Sequence, residues 1–186
     1  MDATLARRID RLETRAALSE LITRYGRAID EKDIDALLSV FTDDAVLCSN
    51  GRELDATGHG GIRTLYEAVF KELGPSYHWW HGQMLDFDDA DPDIARGEIP
   101  AHSETYRKGA QYLAALRYVD EYRRVGGTWK IARRELVFLY FCSMAEYADI
   151  LGKDQRVTVY DSPRMADWPA RLPHLPPHGR GPHGRG

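Results

Sequence analysis

Asp30, Tyr25 and one of His78 and His81 are the residues whose types and positions point most directly to acid–base chemistry. Asp30 opens the cluster Asp30-Glu31-Lys32-Asp33, whose plain reading is a solvated turn between two helices. Asp33 is the better-placed helix cap, so Asp30, directly after the buried-face residue Ile29, is the acid left to point inward. There it needs a partner, because an unpaired buried carboxylate is costly. Tyr77-His78-Trp79-Trp80-His81-Gly82 offers two histidines that face opposite sides of a regular strand, so only one of them lines an interior. Either also reads as a structural histidine bonded to a backbone carbonyl. Tyr25 precedes Asp30 by a turn and a half, about 500° of helix, so the two converge only where that helix ends. It reads equally as a core ring with its hydroxyl bonded. In the chemical reading, Asp30 holds one imidazole nitrogen as N–H and the other nitrogen removes a substrate proton. Tyr25 then donates to a leaving or carbonyl oxygen. A histidine suits this because it titrates near neutral pH and can both take and return a proton.

The elements that must position these groups are legible as patterns. From Leu5 to about Ala28, apolar residues recur at Leu5, Ile9, Leu12, Ala16, Leu18, Leu21, Ile22, Tyr25 and Ile29, a long first helix. Asp33 caps a second helix that carries Ile34, Leu37, Leu38 and Phe41 up to a break at Thr42-Asp43-Asp44. Ala45-Val46-Leu47-Cys48 before Asn50-Gly51 reads as a strand entering a hairpin turn. Ile62, Leu65, Tyr66, Val69, Phe70 and Leu73 give a third helix that stops at Gly74-Pro75. Four extended segments follow, Tyr77 to Phe87, Ile94 to Arg107, Gln111 to Val125 and Thr128 to Ser143, an antiparallel meander. Both faces of the third carry apolar residues: Tyr112, Ala114, Leu116, Tyr118 and Tyr122 on one, Leu113, Ala115 and Val119 on the other. Helices followed by a meander make an α+β fold, with helices gathered on one face of a curved sheet that encloses a pocket.

Composition excludes several classes of function. The 186 residues suit one domain and a tail, and 25 Lys+Arg against 29 Asp+Glu, with the bases scattered, speak against nucleic acid as a partner. Cys48 and Cys142 form neither a metal-ligand nor a redox spacing, and a cytoplasmic location fits them. No apolar run approaches the roughly 20 residues that cross a bilayer, and the N-terminus does not read as a secretion signal, so no membrane partner is expected. No glycine-rich phosphate motif or metal-ligand cluster appears in the folded part, and neither cofactor nor metal is expected. The Pro, Gly and His-rich stretch from Pro173 reads as disordered, with His174, His178 and His183 lacking the fixed geometry of a metal site.

Three blocks carry a resemblance: residues 21 to 30 (Leu-Ile-Thr-Arg-Tyr-Gly-Arg-Ala-Ile-Asp), residues 37 to 45 ending in Phe-Thr-Asp-Asp-Ala, and Gly127-Thr128-Trp129-Lys130-Ile131, together with His78. Over about residues 5 to 150 the chain resembles the nuclear transport factor 2-like superfamily. The branch in question holds polyketide cyclases, scytalone dehydratase, hexachlorocyclohexane dehydrochlorinase and bile-acid 7α-dehydratase. The resemblance implies a cone-shaped fold with helices on the concave face of the sheet. It also implies that Tyr25, Asp30 and His78 match the catalytic trio of the bile-acid enzyme in type and separation, which favours His78 over His81. Ser103, flanked by His102 and Glu104, stands where that enzyme has a further aspartate, and Arg134 is the basic residue nearest its final-strand arginine, which falls near Phe138.

The function so implied is a cofactor-independent lyase of dehydratase type acting on a small apolar, ring-bearing molecule. Retro-aldol loss of formaldehyde from lignin-derived diaryl compounds, isomerisation and cyclisation use the same groups. A non-enzymatic binding or association domain is the alternative outside catalysis. Trp80, Met84, His102, Tyr118 and Phe138 are the candidates to line the substrate cavity, although such residues often serve only as core or interface. Residues 1–150 are expected to form the catalytic domain, 151–172 an extension packing on it or on a neighbouring subunit, and 173–186 the tail. Apolar residues on both sheet faces imply a homo-oligomer, a trimer before a dimer.

Overall fold

The computed structural model describes residues 3–50 and 54–169 and opens with helix α1 (Ala3–Asp30). Its second half buries Leu18, Leu21, Ile22, Tyr25, Ala28 and Ile29, the steps of one helical face. In its first half, Leu5, Ile9 and Leu12 of the same apolar series are exposed. That half instead meets the chain near residue 88 through its arginines: Arg7 and Arg11 pair with Asp89, and the guanidinium groups of Arg11 and Arg15 lie over the Phe87 ring.

The end of α1 is fixed locally. The Asp33 N–H bonds the Ala28 carbonyl at 2.9 Å and the Lys32 N–H bonds that of Ile29 at 3.1 Å, a Schellman closure with Lys32 in the left-handed region at φ 57°. Asp33 then accepts the Ala36 N–H at 2.9 Å and caps α2 (Ile34–Ser39), the role its spacing predicts. Strand β1 (Phe41–Ser49) starts earlier than its sequence suggests, taking in both Phe41, expected in the helix, and the expected break at 42–44. Sheet pairing overrides the helical spacing here: the Ile131 N–H bonds the Val40 carbonyl at 2.9 Å, and Phe41 is fully buried.

Strand β2 (Asp55–Thr57) returns antiparallel to β1, and residues 51–53 of the expected turn lie outside the described part. Helix α3 (Gly58–Glu72) runs straight into β3 (Leu73–Trp80), which contains the Gly74-Pro75 expected as a stop before the strand. Gly82, at φ 103°, turns the chain into β4 (Met84–Phe87), so the single segment expected over 77–87 is two strands, both paired with β5 (Ile94–Arg107). Strands β6 (Ala110–Val125) and β7 (Thr128–Ser143) complete the meander. Lys108-Gly109 and Gly126-Gly127 link these strands with positive φ at both central positions, the twist-matched form of two-residue hairpin.

The sheet order is β2-β1-β7-β6-β5-β3, with β1 parallel to β7 and the other pairs antiparallel. This is the α+β architecture expected from the sequence, a curved sheet with helices on its concave side. The main core joins α1 and α3 to the inward faces of the strands through Leu21, Ile22, Ile62, Leu47, Ile99, Leu116 and Ile131, each such side chain contributing about 1.5 to 3 kcal/mol on burial. On the outer face Leu113, Ala115, Leu139, Tyr140 and Cys142 pack with Ile150 of a 3₁₀ turn (Ile150–Gly152).

Residues 153–169 continue along β7. The Phe141 N–H bonds the Arg156 carbonyl at 2.9 Å and the Phe138 N–H bonds Asp167 at 2.8 Å. Leu139 is the extra residue of a bulge, since Ala115 pairs with Tyr140 and Leu116 with Phe138. The Leu139 carbonyl accepts from the buried Arg156 at 2.9 Å, and the same guanidinium donates to Lys153 and Pro169. Both cysteines are free, and burial pushes the Cys142 thiol up to about 11. Among the described residues no helix is long and apolar enough to cross a membrane. The tail expected from Pro173 lies outside the described residues.

Candidate active site

The cone encloses a cavity of about 340 Å³, open at one end, between α1, α3 and the inner face of the sheet. Asp30, the last residue of α1, stands beside the cavity-lining His78, where the Schellman closure fixes the helix end. Its Oδ1 lies 2.7 Å from His78 Nδ1 and accepts the Ser76 hydroxyl at 3.0 Å, and Oδ2 accepts the His78 backbone N–H at 3.1 Å. An ionised carboxylate only accepts, so Nδ1 carries the hydrogen and Nε2 is the nitrogen left for a substrate. The His78 and Asp30 side chains are only 9% and 16% exposed, so little water competes for this pair.

Strand register decides which histidine faces Asp30. His78 pairs with Ser103 and Trp79 with His102, so alternation sends His78 and Ser103 inward and His102 outward. His81 joins His102 outside, Nε2 to Nδ1 at 2.6 Å, and His102 is held below the ordinary histidine pKa by desolvation and then by its neighbour. His102, a candidate for the substrate cavity, is therefore corrected to the opposite face of the sheet. Met84 is corrected likewise: it is 59% exposed on β4, and it is Leu85 and Phe87 of that strand that pack on the core. Tyr118 and Phe138 line the cavity. Trp80 stands behind the wall, near-parallel to the His78 ring at 6.1 Å and tilted against Tyr25 and Tyr118.

Tyr25 reaches the same cavity from one and a half turns before Asp30, its hydroxyl 2.8 Å from that of Tyr66 on α3. Beneath it the Arg134 guanidinium lies 4.0 Å from the Tyr25 ring centre and 4.5 Å from that of Tyr118. Arg134 is wholly buried, donates to Asp120 at 2.8 and 2.5 Å, and does not line the cavity. Burial works against its charge, and Asp120 nevertheless holds it well above the usual arginine pKa. Tyr122 completes the layer by donating to Asp120 at 2.6 Å. Burial raises all three phenols: Tyr66 and Tyr118 are driven well above their ordinary value, while for Tyr25 the adjacent Arg134 cation is the largest opposing influence. Arg134 opposes the rise at all three, and at Tyr25 it does so both through its charge and through a side-chain hydrogen bond.

Asp120 and Tyr66 are the polar partners that the sequence reading did not single out. Asp120 carried a usable signal, since it shares strand parity with Tyr118 and Tyr122 and so had to enter the core with a partner. Tyr66 looked like any other residue of the apolar α3 face.

The SnoaL-like domain family profile matches residues 10–135. A gamma-hexachlorocyclohexane dehydrochlorinase of Sphingobium indicum is 26% identical over 137 residues, 74% of this chain and 88% of that protein. A structure described as a candidate aromatic ring hydroxylase, from Novosphingobium aromaticivorans, is 30% identical with a TM-score of 0.66, covering 74% of this chain and 97% of that one. A candidate scytalone dehydratase of the same species superposes with a TM-score of 0.69 over 88% of this chain and 97% of its own, and at 18% identity it shows the shared fold alone.

Proposed function

From the premise that the chain belongs to the SnoaL-like family, of nuclear transport factor 2-like fold, we propose that it is a cofactor-independent lyase. It acts by acid–base elimination, most simply of water, on a small apolar ring-bearing molecule. The observation that carries this reading is the Asp30–His78 pair, 2.7 Å apart, whose histidine lines a largely apolar cavity together with Tyr25. The related dehydrochlorinase is by name an eliminating enzyme, which supports the reaction class but not the substrate.

In this mechanism His78 Nε2 takes a proton from the carbon next to the leaving group, and Asp30 stabilises the imidazolium through Nδ1. The C–H electron pair becomes the new C=C bond. The C–O pair leaves with oxygen, which takes the Tyr25 proton and departs as water. Arg134, beneath the ring, stabilises the phenolate, and the Tyr66 hydroxyl can donate to it. Tyr25 then recovers the proton held by His78, and no net charge is left in the cavity.

The test is a panel of hydroxylated aromatic, terpenoid and steroid compounds followed by mass. Loss of water is expected for at least one ring-bearing alcohol. Loss of formaldehyde would replace dehydration by retro-aldol cleavage, and an unchanged mass with altered retention would indicate isomerisation or cyclisation. Saturable binding with no turnover of any compound would favour a binding domain.

A further inference from the structure

Strand β5 lays a polar line across the otherwise apolar cavity. Ser103, Thr105 and Arg107 share its inward face, and Ser103 is paired with the base strand at His78. Arg107 lies four residues beyond Ser103, about 13 Å along the strand, and lines the same cavity. The Thr105 hydroxyl is buried with no hydrogen-bond partner among the described residues, an arrangement that costs free energy until something fills it. Arg107 is only 19% exposed and donates to Glu72 Oε2 at 2.8 Å, and Lys108 Nζ stands 3.7 Å from the same oxygen. Arg107 and Lys108 sit side by side where β5 enters the Lys108-Gly109 hairpin turn. Glu72, Arg107 and Lys108 together carry one positive charge, and the carboxylate that offsets it, Asp161 at 3.9 Å from Lys108, stands wholly in solvent.

Resting on the lyase reading, we propose that the substrate is a carboxylic acid. Its ring system lies along the apolar wall, its reacting carbon sits at His78, its mid-chain polar group meets Thr105, and its carboxylate is held by Arg107. Glu72 is half-exposed, where an ion pair contributes little, so a carboxylate delivered from inside the cavity displaces it readily. Glu72 then keeps Lys108 as its partner. The planar guanidinium can take both oxygens of the incoming carboxylate at once.

Calorimetric titration of the full-length protein with biphenyl-4-carboxylate and biphenyl-4-carboxamide tests this. These probes share shape and differ in charge, and neither carries a leaving group, so the result is independent of whether the protein is a lyase. The carboxylate is expected to bind at least about tenfold more tightly than the amide, the scale of one charged hydrogen bond. Arg107→Gln should erase that preference while leaving the amide's affinity unchanged, and Glu72→Gln, which frees Arg107, should increase the preference. Equal affinities, no carboxylate binding at millimolar concentration, or a preference that survives Arg107→Gln would each overturn the assignment. If the mass-shift panel finds only neutral substrates, the acid assignment falls and the lyase reading stands. If acids bind as described and nothing turns over, the reverse holds.

Discussion

At the scale of single residues, the site rests on two charge pairs with different burdens. Asp30 and His78 act as one unit in the proposed elimination, so His78→Ala and Asp30→Asn should each lower turnover at least about a hundredfold with the fold retained. The double variant should be little worse than the poorer single one in a kcat/KM comparison. His81→Ala should leave turnover unchanged, because its ring bonds His102 on the other side of the sheet; if that variant is dead and His78→Ala is active, the assignment of the base is wrong. Arg134 and Asp120 are wholly buried, and removing one strands the other in the core. Arg134→Met should therefore cost roughly 3 to 5 kcal/mol in urea unfolding, with the conservative Arg134→Lys costing less. Equal stability of the methionine variant would mean that water reaches Asp120.

At the scale of elements, helix α1 and strand β3 are matched through a missing side chain. A methyl group at Gly26 would sit 2.5 Å from the Trp80 ring, the ring that packs beside His78 and Tyr25. Alanine in a helix interior is ordinarily favoured over glycine by about 1 kcal/mol. Here Gly26→Ala should instead destabilise, because the indole is pushed into its neighbours, and turnover should fall as the His78 wall shifts. A raised melting temperature with unchanged turnover would show that Trp80 is free to move. The end of the same helix explains how residues a turn and a half apart serve one cavity: Tyr25 enters from its side, and Asp30, its last residue, holds His78 in the wall.

At the scale of the whole molecule, two surfaces ask for cover. Tyr77, Trp79, Met84, Tyr106 and Val119 of the strands are exposed, as are Leu5, Ile9 and Leu12 of α1. A homo-oligomer is the expected outcome, a trimer before a dimer, and light scattering giving a monomer of about 21 kDa at micromolar concentration would refute it. The second surface is already covered within the chain. Residues 144–169 bury the outer cluster around Tyr140 and Cys142, bond the upper edge of β7, and bring Tyr160 to the cavity. Ending the chain at Ala145 should lower the melting temperature and the activity together. A truncated protein that melts and turns over like the full chain would show that this covering is dispensable.

Local patterns determined much of this protein. The helical periodicity of α1 and α3, the Asp33 cap and the spans of β5, β6 and β7 are written in three- and four-residue steps, turn residues and alternation, which act between near neighbours in the chain. The trio Tyr25, Asp30 and His78 could be singled out from residue type, local position and family resemblance. What the sequence left open was decided by contacts between residues far apart. Phe41 carries helical spacing yet becomes strand because β7 offers it hydrogen bonds and a buried site. Pairing of β3 with β5 fixes which histidine faces Asp30 and sends His102 outside, and pairing of β4 with β5 does the same for Met84, although both look like cavity residues along the chain. Tyr66 and Asp120 join the site only once α3 and β6 close around Tyr25 and Arg134. Periodicity gives each strand two faces, and only the register between strands, set by packing of the closed cone, says which face is in.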